Sequence, residues 1–294
     1  MSATPPRSDG SRTAEPSSDP ARSAGFDART GSVVTAWSLF GIMPGMVVAV
    51  VVAIVAAPLL GLLALVVVAG AWALYVRLQV RGALDRVLGQ VGARPLPSED
   101  EPRWANVVDG LGVTSGVNDP ELWVIDGVEA NALAAASEDR AVLVVTRGLV
   151  DSLTVVELEG VAANLLGRIK DGPARYGTVV VGLLGPFLGT VDAAGKILAD
   201  GLGDQRAVHT DLAAVAMTRY PPGLAAALEH LERIGTERPG VPPATAHLWM
   251  APVIEGDVGI DPAVAATVAQ PLDYRTAVLH ELCDPFAAPL TAVL

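Results

Sequence analysis

From Thr30 to Val76 the chain runs 47 residues without a charged side chain, broken near its middle by Pro58 and Gly61. At about 1.5 Å per helical residue, Val34–Ala57 and Leu59–Val76 each come close to the roughly 30 Å of a hydrocarbon core. A buried helix of a soluble domain still carries polar positions on one side, and neither stretch does. The pattern therefore predicts a transmembrane helical hairpin. A cleaved signal peptide is the weaker reading, because its apolar segment is far shorter and starts nearer the N-terminus. Arg7, Arg12, Arg22 and Arg29 precede the run, Arg77, Arg81 and Arg86 follow it, and the turn around Pro58 has no charge. Arginines next to membrane spans favour the cytoplasmic side, so both hairpin ends are expected there. Trp37, Trp72 and Tyr75 fit an aromatic belt on the same side.

On either side of the hairpin the pattern changes. Residues 1–32 show no apolar period and are rich in Ser, Pro, Gly, Ala and Arg, which predicts a disordered cytosolic tail. Residues 33–80 form the hairpin. Residues 81–294 are long enough for one domain with its own core. In it, Gly82–Val91 has helical spacing and is followed by a break at Arg94-Pro95-Leu96-Pro97. Leu122–Ile125 and Ala141–Val145 read as short buried strands. Thr154 and Glu157 have the spacing of a capping box ahead of a helix over Val155–Ile169. Further helices are predicted at Arg206–Thr218 and, after Pro221-Pro222, at Gly223–Ile234. Tyr176–Val191 is uncharged but short for a span, and a single extra crossing would split the domain. A re-entrant element, a membrane-lying one or a packed helical hairpin fits better. The fold class is α+β, mostly helical.

Composition narrows the partners. The net charge of −12 argues against nucleic acid as a partner. One cysteine, Cys283, excludes an internal disulfide. The lipid bilayer is the one partner the pattern itself requires.

Ordered landmarks in the domain point to a family. Asn131-Ala132-Leu133-Ala134, then Val145-Thr146-Arg147-Gly148-Leu149, then Glu157-Leu158-Glu159-Gly160-Val161-Ala162-Ala163 follow one another in sequence. Asp211 and Thr218–Leu228 come next, then Thr245-Ala246-His247-Leu248-Trp249 with Pro252, then Pro271-Leu272-Asp273-Tyr274-Arg275. Together they resemble the HtpX-like membrane zinc metallopeptidases, relatives of the CAAX prenyl protease, over roughly residues 35–280. The resemblance implies a zincin-like peptidase domain behind the N-terminal hairpin, facing the cytoplasm, with zinc as the family's cofactor.

The departure from that family concerns its chemistry. The family's helix carries His-Glu-x-x-His, two imidazoles one turn apart for zinc and a glutamate to activate the bound water. The corresponding stretch here is Asn164-Leu165-Leu166-Gly167-Arg168. The resemblance puts the first ligand position at Asn164, the catalytic acid at Leu165 and the second ligand at Arg168. The third ligand position, four residues before the retained Asp211, falls on Ala207. A guanidinium repels a dication, and leucine cannot take a proton from water. No catalytic residue and no metal ligand is therefore expected, and no zinc. Instead Arg168 is expected to pair with Asp211, with Asn164 bonded nearby and Leu165 filling the old water position.

The other histidines are weaker candidates. His280-Glu281 begins like the motif but lacks the second histidine. His209 lies two positions from Asp211, too far around a helix to share its face. His230 reads as surface and His247 as packing. The chain is thus read as a catalytically inactive homologue, a pseudopeptidase that binds a polypeptide or membrane-protein partner through the inherited cleft. The alternatives are an active zinc metalloendopeptidase using other ligands, such as His209 or His280 with Glu281, and a structural subunit of a membrane complex.

Overall fold

The fold is described from a computed structural model covering residues 20–55, 58–188, 192–203, 205–253 and 270–283. Residues 1–19 of the expected tail, the Ala56-Ala57 turn and the end of the Tyr176–Val191 stretch lie outside the described residues. Helices α1 (Pro20–Val55) and α2 (Pro58–Arg81) form the N-terminal pair. Both are long and apolar enough to cross a bilayer, over Ser23–Val51 and Leu60–Arg81. Leu39, Phe40, Val47, Leu62 and Val66 point outward and are each more than half exposed, a surface that needs an apolar solvent. The helices meet where they carry no side chain: a methyl at Gly41 would overlap the Trp72 ring, and one at Gly45 a methyl of Val68. Trp72 Nε1 donates to the Trp37 carbonyl at 3.2 Å.

The first correction concerns the tail. Residues 20–32 are helical rather than disordered, because α1 begins well before the membrane run. Composition alone offered these residues no core of their own, and the domain supplies one. Phe26 sits 6.4 Å from the Tyr176 ring, Asp27 pairs with Arg175 at 2.8 Å, and Arg29 donates to the Gly201 carbonyl at 2.9 Å.

The domain is built on a four-stranded mixed sheet in the order β1-β2-β4-β3. Strand β1 (Arg94–Pro95) runs antiparallel to β2 (Glu121–Ile125), β2 runs parallel to β4 (Ala141–Thr146), and β3 (Ala132–Ala136) runs antiparallel to β4. Strand alternation divides the core between two faces. Ala132, Ala134, Leu143 and Val145 face a layer made by helices α4 (Pro102–Ser115), α6 (Val155–Lys170), α10 (Pro221–Ile234) and α11 (Leu272–Cys283), beside the short α5 (Arg147–Ser152). Leu133, Ala135, Val142 and Val144 face α3 (Ala83–Val91) and the segment Leu248–Val253.

Helix α6 starts as its sequence requires: the Thr154 hydroxyl accepts from the Glu157 backbone N–H, and Glu157 accepts from the Thr154 N–H at 2.7 Å. Gly160 lets α6 approach α10, since a Cβ there would lie 2.8 Å from the Leu224 Cα. Helices α7 (Pro173–Leu184) and α8 (Asp192–Leu202) pack on each other and on the membrane pair through Val76, Tyr176, Val180, Leu183 and Leu198. The described part of the Tyr176–Val191 stretch is a single helix ending at Leu184 and a short turn over Gly185–Phe187, packed against the rest of the domain. Helix α9 (Arg206–Thr218) lies against α6, which brings Asn164 and Arg168 together with Ala207 and Asp211.

Candidate functional site: a buried arginine cluster

Positions 164 and 168 lie one turn apart on α6, and 207 and 211 one turn apart on α9, so two helix faces meet across a shared interior. Asn164, Arg168, Asp211 and Ala207 are all buried there, the first three at 1%, 4% and 1% exposure. Asn164 Nδ2 donates to Asp211 Oδ1 at 2.8 Å, as anticipated for a bond near the carboxylate. Its Oδ1 accepts no hydrogen bond among the described residues.

The anticipated Arg168–Asp211 pair is not formed. Arg275, on α11, takes Asp211 in a two-pronged ion pair, Nε to Oδ2 at 2.7 Å and Nη2 to Oδ1 at 2.8 Å. With Asn164 on the same carboxylate, Asp211 accepts three hydrogen bonds, two at Oδ1 and one at Oδ2. Arg168 turns instead to backbone, donating from Nη1 to the Leu248 carbonyl at 2.6 Å and from Nη2 to the Trp249 carbonyl at 2.9 Å. Arg275 Nη1 holds the next carbonyl, Met250, at 2.6 Å. Two arginines thus fasten three consecutive carbonyls of one segment. Leu165 is fully buried and packs into the main apolar core.

That segment closes the sheet. Met250 N–H donates to the Ala132 carbonyl at 2.7 Å, Leu133 bridges Trp249, and Ala136 N–H donates to the Thr178 hydroxyl at 3.2 Å. Asn131, fully buried, ties both the N–H and the carbonyl of Ala251. The outer edge of β3 is therefore occupied by the chain itself and offers no ladder for an added strand. The space left between Arg168, Ala207, Trp249 and Arg275 is a cavity of about 10 Å³. An open inherited cleft is not what these residues form.

The cluster is rich in positive charge. Arg206, 6% exposed, lies on the same wall as Arg168 and Arg275. Burial, then the neighbouring Arg206 and Arg275, push the Arg168 pKa well down, with Asp211 acting in the opposite sense. Burial and Arg275 lower Arg206 to about 10, so it keeps its charge at neutral pH. His247, 1% exposed, is held neutral by burial and by Arg206 and Arg168, its pKa lowered to about 3. Its ring packs on Gly177, where a Cβ would approach within 2.8 Å.

The remaining histidines do not converge on this site. His230 Nδ1 lies 3.2 Å from Glu157 Oε1 at the start of α6. His280 Nε2 lies 2.7 Å from Glu229 on the outer face of α10 and α11. His209 lines a separate cavity of about 300 Å³ with Phe26, Arg29 and Asp171. Among the described residues no group of three His, Cys, Asp or Glu side chains could hold a metal ion. An amide, a methyl and three guanidinium groups do not fit zinc, which takes imidazole, thiolate or carboxylate. Arg275 was legible only as part of a landmark, and nothing local in the sequence assigned Asp211 to it.

Two candidate membrane spans, a small mixed sheet and two helices that bring Asn164, Arg168, Ala207 and Asp211 together make up an α+β, mostly helical protein. Comparison with curated proteins finds HtpX protease homologues among those similar to this chain. The chain is 31% identical over 186 aligned positions to the protease HtpX homologue of Dictyoglomus thermophilum, covering 50% of this chain and 59% of that protein. It is 29% identical over 195 positions to the homologue of Tropheryma whipplei, covering 54% and 66%, and 26% identical over 221 positions to that of Salinibacter ruber, covering 67% and 80%. The chain is thus similar to HtpX protease homologues over half to two thirds of its length. It spans 59% of the length of the Dictyoglomus relative. No family model and no solved structure matches it.

Proposed function

We propose that this chain is a catalytically inactive, membrane-anchored metallopeptidase homologue that works by binding rather than by turnover. What supports the reading is a buried guanidinium cluster at and beside the positions that the resemblance matches to metal ligands. Arg168 stands where the resemblance puts a ligand histidine, and its positive charge, like those of Arg206 and Arg275, opposes a divalent cation. Leucine at position 165 leaves no group to activate water.

The inherited centre then has a structural role, joining α6, α9, α11 and the Leu248–Ala251 segment. Because that centre is closed, a protein or membrane partner is taken on the outer surface of the domain. The hairpin ends and the domain lie on the cytoplasmic side, following the arginine flanks. A second reading, a structural subunit of a membrane complex, draws support from the docking of residues 26–29 on α7 and α8, which ties the domain to its anchor. Both are tested by incubating the detergent-purified chain with casein, with and without a chelator, and by affinity purification from membranes. No digestion, together with a stoichiometric co-purifying protein, is expected. Chelator-sensitive digestion would favour an active peptidase using other ligands.

A further inference from the structure

We propose that the cavity at the arginine cluster binds a small monatomic anion, chloride under ordinary conditions. The inference rests on the reading that this centre holds no zinc. The cavity measures about 10 Å³ and is walled by Arg168, Arg206, Ala207, Trp249, Gln270 and Arg275. That is about the room of one water molecule, too little for phosphate, sulfate or a carboxylic acid.

The charge on the wall selects the occupant. Arg168 and Arg275 are 4% and 1% exposed, and of the two only Arg275 is paired with a carboxylate, that of Asp211. Asp211 is engaged by two nitrogens of Arg275 and by Asn164. Arg168 ends on two carbonyl oxygens, whose dipoles reduce the penalty of burying its charge without cancelling it. His247, held neutral next to these groups, contributes no further charge but also no acceptor anion. Water could fill the space, yet only an anion offsets a surplus unit charge in a low-dielectric interior. A centre that in the resembling family holds a cation is here reversed in sign.

The test uses the full chain in detergent, melted over about a hundredfold range of sodium chloride, with sodium gluconate holding ionic strength constant so that screening does not change. Binding to the folded state alone predicts a melting temperature that rises by a few degrees per tenfold chloride. Bromide should replace chloride and give an anomalous diffraction peak between Arg168 and Arg275. Ala207→Asp places a fixed carboxylate on the cavity wall and should melt alike in both salts. Should that variant not fold, Arg168→Met, which removes the surplus charge, should show the same loss of chloride dependence. A wild-type melting temperature unchanged across the chloride series overturns the proposal, as does full chloride dependence in the variant that folds. Chloride independence without bound zinc sinks only this inference. Stoichiometric zinc sinks it together with the functional reading.

Discussion

Removing Arg275 should be far more damaging than its position on a surface-docked terminal helix suggests. Arg275→Met deletes two bonds to Asp211, at 2.7 and 2.8 Å, and the bond to the Met250 carbonyl at 2.6 Å. Both members of the pair are 1% exposed, so Asp211 would remain buried with only the Asn164 amide beside it. Breaking a buried ion pair from one side costs about 3–5 kcal/mol. For a domain of this size each kcal/mol lowers the melting temperature by roughly 2–4 °C, giving a fall of about 6–20 °C. Circular dichroism at 222 nm on detergent-solubilised protein, at one scan rate and one chloride concentration, reads it. Arg275→Met with Asp211→Leu should recover part of the loss, because the orphaned charge is gone; the coupling between the two sites should exceed about 1 kcal/mol. The matched cycle of Arg168→Met with Asp211→Leu should give a clearly smaller coupling, since Arg168 bonds backbone instead. A larger coupling for Arg168 than for Arg275 would refute the assignment of partners.

Further predictions follow from other parts of the molecule. His247 has a folded-state pKa of about 3, below its ordinary value near 6.5, so the unfolded chain binds the extra proton first. Stability should therefore fall as pH drops from about 6.5 towards 3, and a chemical-denaturation series should show that slope reduced in His247→Leu. Thr154→Ala removes the capping box of α6 and should cost about 0.5–2 kcal/mol in the same assay. With Cys283→Ser as background, an engineered cysteine at residue 150 should resist an impermeant thiol reagent in intact cells; labelling there would place the domain outside. Restoring all four family positions, with Asn164→His, Leu165→Glu, Arg168→His and Ala207→Glu, should produce a chain that retains zinc through gel filtration where the parent does not.

Much of the architecture was legible because it is local. A charge-free run twice the length of a bilayer crossing specifies a hairpin, and Thr154 with Glu157 specifies a helix start three residues apart. Strand β3 was not read as a strand, because Ala132–Ala136 contains four alanines, poor β-formers, and is buried on both faces, which erases alternation. Helix α4 was obscured by Gly110 and Gly112 within its span. The docking of residues 20–32 depends on Tyr176, Arg175 and Gly201, more than a hundred positions away. The candidate site divides the same way. Four-residue spacing placed Asn164 with Arg168 and Ala207 with Asp211 on shared faces. It could not tell which of three arginines reaches the carboxylate, because Arg275 arrives from 64 positions downstream.

The central claim is that guanidinium chemistry has replaced metal chemistry at Asn164, Arg168 and Ala207. Zinc analysis of the full chain, purified in detergent without chelator and with added zinc during expression, tests it most directly. Far less than one zinc per chain is expected, unchanged by Arg168→Met. One tightly held zinc per chain, removed by a chelator together with casein digestion, would contradict it.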